Sequence, residues 1–419
     1  MHDSIARLVL ITNPLPRASA SARSPLHCIT GLLLAAAAAV AAVPIARAAP
    51  FTPTSDAQVL ETLPLRPTDS RAREMRALRD QLAKKPTDAG LAVALARRYF
   101  EQVAAEGDPR YIGHAQSVLA PWWGLADPPA AVRVMRAMLN QFNHQFDSAV
   151  ADLTAVVSLE PSHAEAWSWL AAIAMVQARY ADARSACIGM APEVSALIAT
   201  ACLASVDSVS GRAAAASVAM TAALRQASDA SPAERLWVLT RLAENDERRG
   251  DFAAAELAFK QAFKLGLSDS YLQAAYADFL LDRGRASEVL VLLREGQRSD
   301  LLLLRLALAA KALKAPSLAA WTQDLNARFD AARLRGDSAH QKEEARFALA
   351  ILGQADRALE LAKSNYAVQR EPADARVLLE AALAARQPKA AEPVLQWLAA
   401  NGTESLALRG LARQVQDKP

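Results

Sequence analysis

The chain has 419 residues, of which 53% are hydrophobic and only 5% aromatic. Glycine (15 residues) and proline (21 residues) are sparse, and the many alanine runs favour helix over strand because alanine loses no side-chain entropy in a helix. The formal net charge is only +3, which excludes a strongly basic protein that binds nucleic acid by neutralising its phosphates.

The first 48 residues have the features of an export signal. Three arginines precede an apolar run over residues 29–43, and Ala46-Arg47-Ala48 then forms a small-x-small cleavage site. Because this segment holds four arginines and one aspartate, its removal would leave a mature chain with no net charge. We therefore predict a cleaved signal and a periplasmic protein. The alternative is that residues 29–45 are retained as an inner-membrane anchor, and the polar stretch before Pro25 also fits a later translation start.

The remainder of the chain divides into four predicted regions, all helical. They are an N-terminal extension with a first capping helix (49–85), a repeat array (86–299), a divergent helical pair with a long second helix from Ser317 to about Arg335 (300–338), and C-terminal repeats with a cap (339–419).

A helical signature recurs from position 250 to position 284. A turn at Gly250 is followed by the apolar positions Ala255 and Phe259, and the turn at Gly284 is followed in the same way by Val289 and Leu293. Recurrence at this period predicts stacked helical hairpins, in which small residues lie where two helices cross and the turn glycine allows the chain to reverse. The clearest copies span residues 130–163, 164–192, 236–269 and 270–299, and weaker copies span 89–129, 197–232, 339–372 and 373–402.

In these residues the chain resembles the tetratricopeptide repeat family, and it is most similar to exported bacterial members. The resemblance implies an all-α, right-handed superhelical solenoid of antiparallel helix hairpins with about nine repeats. It also implies a non-catalytic scaffold that binds a protein or peptide partner in the bacterial envelope. An accessory subunit of an inner-membrane transport or secretion assembly, docked on an envelope membrane protein, is the alternative.

The concave surface of such a solenoid is lined mainly by the first helix of each hairpin. Aromatic side chains flanked by charges on that face would anchor and orient a peptide. The predicted partner-binding residues are Trp237, Thr240, Glu244, Arg248, Tyr271, Asp278 and Asp282. The alternative is that Trp237 and Tyr271 pack between hairpins and the charges form a solvated face.

Several more specific functions are not indicated. The Lys and Asn residues with which the family clamps acidic C-terminal peptides are replaced by Thr240, Glu244, Ala274 and Asp278, so that type of binding is not expected. We find no catalytic motif, and we expect no cofactor and no enzyme activity. His340, Glu343 and Glu344 have metal-like spacing but are too few for a site, so we expect an ordinary charged face.

Cys187 and Cys202 are the two cysteines of the predicted mature chain. A tight turn near Pro192 would place Cys187 opposite residue 197, an offset of about five residues or ~7.5 Å at the helical rise. That geometry is poor for a disulfide, so we expect two small buried residues without a bond.

Overall fold

The computed structural model describes residues 69–417 except 107, 109 and 337–339, together with residues 55, 57 and 58. In the described part every regular element is a helix, and no helix there is both long enough and apolar enough to cross a membrane. The predicted export signal and the segment 29–45 lie outside the described residues.

Twenty-one α-helices follow one another along this part of the chain. They are α1 (Ser70–Lys84), α2 (Ala89–Glu106), α3 (Arg110–Val118), α4 (Ala120–Trp123), α5 (Ala130–Phe142), α6 (Phe146–Leu159), α7 (Ala164–Val176), α8 (Tyr180–Met190), α9 (Ala196–Asp207), α10 (Ala213–Gln226), α11 (Pro232–Arg249), α12 (Phe252–Lys264), α13 (Ser270–Asp282), α14 (Ala286–Leu292), α15 (Asp300–Leu313), α16 (Leu318–Leu334), α17 (Gln341–Phe347), α18 (Ala355–Val368), α19 (Pro372–Ala384), α20 (Glu392–Asn401) and α21 (Leu406–Gln416). Short 3-10 segments lie at Ala191–Glu193 and Pro388–Ala391, and π-helical residues Ala348–Leu352 continue α17.

Consecutive helices pack as hairpins, nine in the described residues. The pairs are α2/α3, α5/α6, α7/α8, α9/α10, α11/α12, α13/α14, α15/α16, α17/α18 and α19/α20. We call the earlier member of each pair its first helix. The prediction of an all-helical protein built from stacked hairpins is confirmed. The long second helix of the divergent pair runs from Leu318 to Leu334, close to its predicted limits.

The bounds of α11 show how the sequence sets these hairpins. Ser231 and Glu234 form a reciprocal capping box, with Glu234 N donating to Ser231 Oγ at 3.2 Å, and Pro232 occupies the first helical position. Gly250 ends the helix at φ 89°, a left-handed conformation that glycine adopts without a steric cost. The chain then reverses into α12.

Small residues lie where the first helices cross their neighbours. Ala171, Ala204, Ala243 and Ala277 are each at most 2% exposed, which lets the helix backbones approach closely. Large apolar residues fill the space between hairpins, including Phe259 and Phe279, whose ring centroids lie 5.7 Å apart. Burial of this continuous interior is the main source of stability in a repeat array.

The array curls back, so that its last hairpins contact its middle ones. Arg370 N donates to Val176 O at 2.7 Å, which joins the segment before α19 to the end of α7. Thr403 Oγ1 donates to Val209 O at 2.8 Å, and Ala213 N donates to Glu404 Oε2 at 2.6 Å. The first helices of the later hairpins therefore face those of the earlier ones across an internal space.

The expectation that Cys187 and Cys202 are not bonded is wrong. They form a disulfide, with their Cα atoms 5.7 Å apart. The connection is not a tight turn at Pro192, because a 3-10 helix over Ala191–Glu193 continues beyond the end of α8 and an extended Val194 follows. This longer connection shifts α9 along α8, so Cys202 rather than residue 197 lies opposite Cys187.

Candidate functional site

The first helices surround a cavity of about 330 Å³. Its wall consists mainly of the inner faces of α11, α13, α15, α17 and α19, completed by residues of α8, α9 and the start of α21. Seven acidic and seven basic side chains line it, so binding there would be governed by which individual charges are paired rather than by net charge. Two tyrosines, three serines and apolar side chains of various sizes, including Phe252 and Met175, occupy the rest of the wall.

One part of the wall is a compact group on α11 and α13. Arg241 Nη2 lies 3.1 Å from Glu244 Oε2, and the Arg241 guanidinium lies over the Tyr271 ring, 4.9 Å from its centroid. The Tyr271 hydroxyl donates to Glu244. A cation over an aromatic face and a shared carboxylate hold these three side chains in fixed positions.

Asp278 lies between two arginines from later hairpins. Arg305 Nη2 on α15 is 2.7 Å from Asp278 Oδ2, and Arg346 Nη2 on α17 is 3.0 Å from Asp278 Oδ1. Burial alone would raise the pKa of Asp278, but the charges of the two arginines outweigh it and hold the pKa below its usual range. Asp278 therefore remains ionised and joins three first helices.

Further ion pairs cross the cavity wall near its C-terminal hairpins. Arg376 on α19 binds Asp282 through both terminal nitrogens, at 2.5 and 2.9 Å, and its Nε contacts Glu380 Oε1 at 2.7 Å. Lys342 Nζ lies 3.7 Å from Glu343 Oε1 and 3.9 Å from Asp374 Oδ1. Most charges of the cavity are thus engaged within the protein.

Glu247 and Arg248, near the end of α11, are less completely engaged. No hydrogen bond or ion pair from another described residue reaches the Glu247 carboxylate, and burial raises its pKa to about 8, with the charges of Asp282 and Asp278 adding to the shift. Arg248 Nη2 donates to Ser208 Oγ at 3.0 Å, whereas its buried Nε has no hydrogen-bond partner among the described residues.

The structure brings five of the seven predicted partner-binding residues together in this cavity. They are Glu244, Arg248, Tyr271, Asp278 and Asp282. The other two, Trp237 and Thr240, were expected on the open concave face, and that placement is wrong. Trp237 is 6% exposed and belongs to the hydrophobic core, and Thr240 is 3% exposed with its hydroxyl donating to Leu236 O at 2.8 Å. Only the C-terminal half of α11 faces the cavity, because core packing covers its first turns.

Sequence reasoning missed the residues that the later hairpins contribute. Arg305, Arg346, Arg376 and Glu371 lie on or at the start of first helices, a position that pointed to the inner face. Their meeting with α13 required the return of the chain, since Arg346 is 68 residues from Asp278 and Arg376 is 94 residues from Asp282. A repeat register predicts which face a residue occupies but not how tightly the array curls.

The two glutamates at the start of α17, Glu343 and Glu344, take separate partners. Glu344 Oε1 accepts from Arg357 Nη2 at 2.6 Å, whereas Glu343 faces the cavity beside Lys342. Within the described residues, no group of three or more histidine, cysteine, aspartate or glutamate side chains is arranged to hold a metal ion.

Comparison with known proteins adds little beyond the helical architecture. Neither a known protein family nor a curated protein matches the sequence. Among solved structures, the chain is similar to the crystal structure of the P58(IPK) TPR domain, with 13% identity, a TM-score of 0.21, and coverage of 82% of this chain and 97% of that one. At this TM-score the superposition supports no statement about shape or function, so the assignment of a helical repeat architecture rests on the nine hairpins of the chain itself.

Proposed function

We propose that this chain is a non-catalytic binding scaffold of the bacterial periplasm that takes up part of a peptide or protein partner in its internal cavity. The observation that carries the proposal is the cavity itself, because first helices distant in sequence place charged and tyrosine side chains around one partly open space. Concave sites with a few well-placed polar groups are the usual places for ligand binding.

The disulfide supports the compartment in this proposal. Disulfides form and persist in oxidising environments such as the periplasm and are rare in the reducing cytosol. The bond between Cys187 and Cys202 therefore agrees with the export signal predicted over residues 1–48.

The size of the cavity limits what part of a partner can enter. The cavity volume of about 330 Å³ lies at the lower end of the roughly 300–1,000 Å³ that is usual for ligand pockets. A cavity of this size suits a peptide end, or a few of its side chains, better than a whole folded element. We therefore infer that the partner presents a short segment.

Site-directed photo-crosslinking in cells tests the location of binding. A photoreactive amino acid at Ala373, an exposed position of the cavity wall, should give adducts with a partner. The same group at Leu257, which is 60% exposed on the second helix α12, is the matched control and should give none. Equal adducts at both positions, or adducts only at Leu257, would show that the cavity is not the binding surface.

The second candidate is an accessory subunit of an inner-membrane assembly. It is favoured by large apolar residues exposed on successive second helices, namely Leu159, Ile188, Val218, Leu257 and Val291, which are 59–77% exposed. Exposed apolar surface commonly marks contacts with other proteins. Retention in the membrane fraction after a high-salt wash, with the N-terminus intact by mass spectrometry, would favour this candidate over a free periplasmic scaffold.

A further inference from the structure

The cavity wall carries charges of both signs that are not fully paired within the protein. On α11, Arg248 has its hydroxyl partner Ser208 but no carboxylate of a described residue within ion-pair distance, and its buried Nε lacks an acceptor. The adjacent Glu247 has neither a hydrogen bond nor an ion pair with the described residues. Buried or half-buried charges without partners are costly. The raised pKa of Glu247 reflects that cost, and a ligand of opposite charge would remove it.

A third charge of this kind faces the same space. The side chain of Glu371, at the cap of α19, accepts a hydrogen bond from the backbone of Asp374, and no described basic group forms an ion pair with it. Burial, followed by the charge of Asp374, raises the pKa of Glu371 to about 7. The cavity thus offers these two carboxylates to a cation. To an anion it offers Arg248 and also Arg283, whose guanidinium lies over the Phe252 ring, 3.6 Å from its centroid, and forms no ion pair with a described carboxylate.

Other charges of the wall are paired within the protein. Asp278 has two arginine partners, Asp282 has Arg376, and Glu244 has Arg241. A purely cationic ligand would compensate the unpaired carboxylates and leave the unpaired guanidinium groups, and a purely anionic ligand would do the reverse. A ligand with both signs would compensate both, and it would keep the cavity electrically balanced.

We propose that the cavity recognises a short zwitterionic peptide, whose free ammonium group is bound by Glu247 and Glu371 and whose free carboxylate is bound by Arg248. The inference rests on the proposed function, in which the cavity is the binding surface, and names the chemistry of its occupant. The volume of about 330 Å³ lies at the lower end of the range for ligand pockets, which suits a peptide of very few residues. Tyr271 and Tyr180 supply the aromatic wall against which the peptide backbone can pack.

Competition between capped and uncapped peptides tests this assignment. The purified chain is incubated with a random mixture of dipeptides and tripeptides in three forms: uncapped, N-acetylated and C-amidated. Bound peptides are then quantified by native mass spectrometry. The uncapped form should be enriched about tenfold or more over each capped form. E247Q should no longer bind uncapped peptides better than N-acetylated ones. R248Q should no longer bind uncapped peptides better than C-amidated ones.

Glu360 provides the matched control, because its side chain is 71% exposed and pairs with Lys363 on the surface. E360Q should keep both preferences, and circular dichroism should show the same helicity in all three variants. Equal binding of capped and uncapped peptides by the unaltered chain would overturn the assignment, as would no binding of any form. If photo-crosslinking at Ala373 still succeeded, the zwitterion assignment alone would be lost, whereas failure of the crosslinking would count against the proposed function.

Discussion

The indole N–H of Trp397 donates to the hydroxyl of Tyr180 at 3.1 Å, and this hydrogen bond joins residues 217 positions apart. Trp397 lies on α20 and Tyr180 is the first residue of α8, so the contact holds the last hairpin against the third. Trp397 is only 7% exposed, and its ring therefore buries apolar surface as well as making the hydrogen bond. The two residues together hold the array in its curled form around the cavity.

Replacing Trp397 with alanine should lower the free energy of unfolding by about 3–5 kcal/mol, the usual cost of removing a buried tryptophan ring. Y180F removes only the acceptor and leaves the indole N–H buried without a partner, so we expect about 1–3 kcal/mol. Urea titration followed by far-ultraviolet circular dichroism measures both. A loss below 1 kcal/mol for W397A would show that the closing contact contributes little to stability.

Gly189 allows α8 to approach the Trp167 ring on α7. A Cβ atom at position 189 would lie 2.8 Å from two carbons of the indole, well inside contact distance. We expect G189A to destabilise the fold by about 1–3 kcal/mol through overpacking, despite the better helix propensity of alanine.

Gly410 on α21 is the matched control for G189A. A Cβ at this helical glycine would meet no atom within 4 Å, so G410A should stabilise the protein by up to about 1 kcal/mol. Both variants are compared by thermal unfolding. A rise of both melting temperatures would mean that helix propensity, and not the contact with Trp167, decides the outcome at Gly189.

The disulfide between Cys187 and Cys202 closes a short loop of the chain, with a sequence separation of 15 residues. Because the bond restricts the unfolded chain, it should raise the free energy of unfolding by about 3 kcal/mol. Reduction should therefore lower the melting temperature measurably. The double variant C187A/C202A should melt at the reduced protein's temperature and show no response to dithiothreitol. A response of the double variant to the reductant would point to another origin for the effect.

Glu247 should make stability depend on pH. Burial raises its pKa to about 8 in the folded chain, from 4.5 for an ordinary glutamate, and the carboxylates of Asp282, Asp278 and Glu244 add to the shift against the opposing charge of Arg248. Between pH 4.5 and pH 8 the folded state therefore binds more protons than the unfolded state does. As a result, the contribution of Glu247 to the free energy of unfolding falls as the pH rises from about 4.5 to about 8.

E247Q removes this dependence, since the amide does not titrate. Relative to the unaltered chain, it should be nearly neutral at pH 4.5 and more stable by roughly 2–4 kcal/mol at pH 9. The exposed variant E360Q is the control for the loss of a glutamate charge at the surface. Urea titrations at several pH values measure the two profiles, and a flat difference for E247Q would show that Glu247 ionises normally in the folded chain.

The sequence predicted the hairpins because their determinants are local. Gly250 and Gly284 end helices in the left-handed conformation, and alanines such as Ala243 and Ala277 mark the helix crossings. The predicted positions on the concave face matched the structure only in part, because contacts between residues distant in sequence decide which side chains line the cavity. Asp278 meets Arg346 because the chain returns after 68 residues, and Trp237 lies in the core because neighbouring hairpins cover the start of α11. The Cys187–Cys202 bond was missed because a 3-10 segment lengthened the connection between α8 and α9.

The return of the chain onto itself has a consequence for how such a protein evolves. In an open solenoid each repeat contacts only its neighbours, so repeats are gained or lost with local effects. Here the carbonyl of Val209 and the amide of Ala213 are bound by Thr403 and Glu404. Insertion or deletion of one hairpin between them would move these partners out of register, so the number of hairpins in this stretch is fixed by the closure.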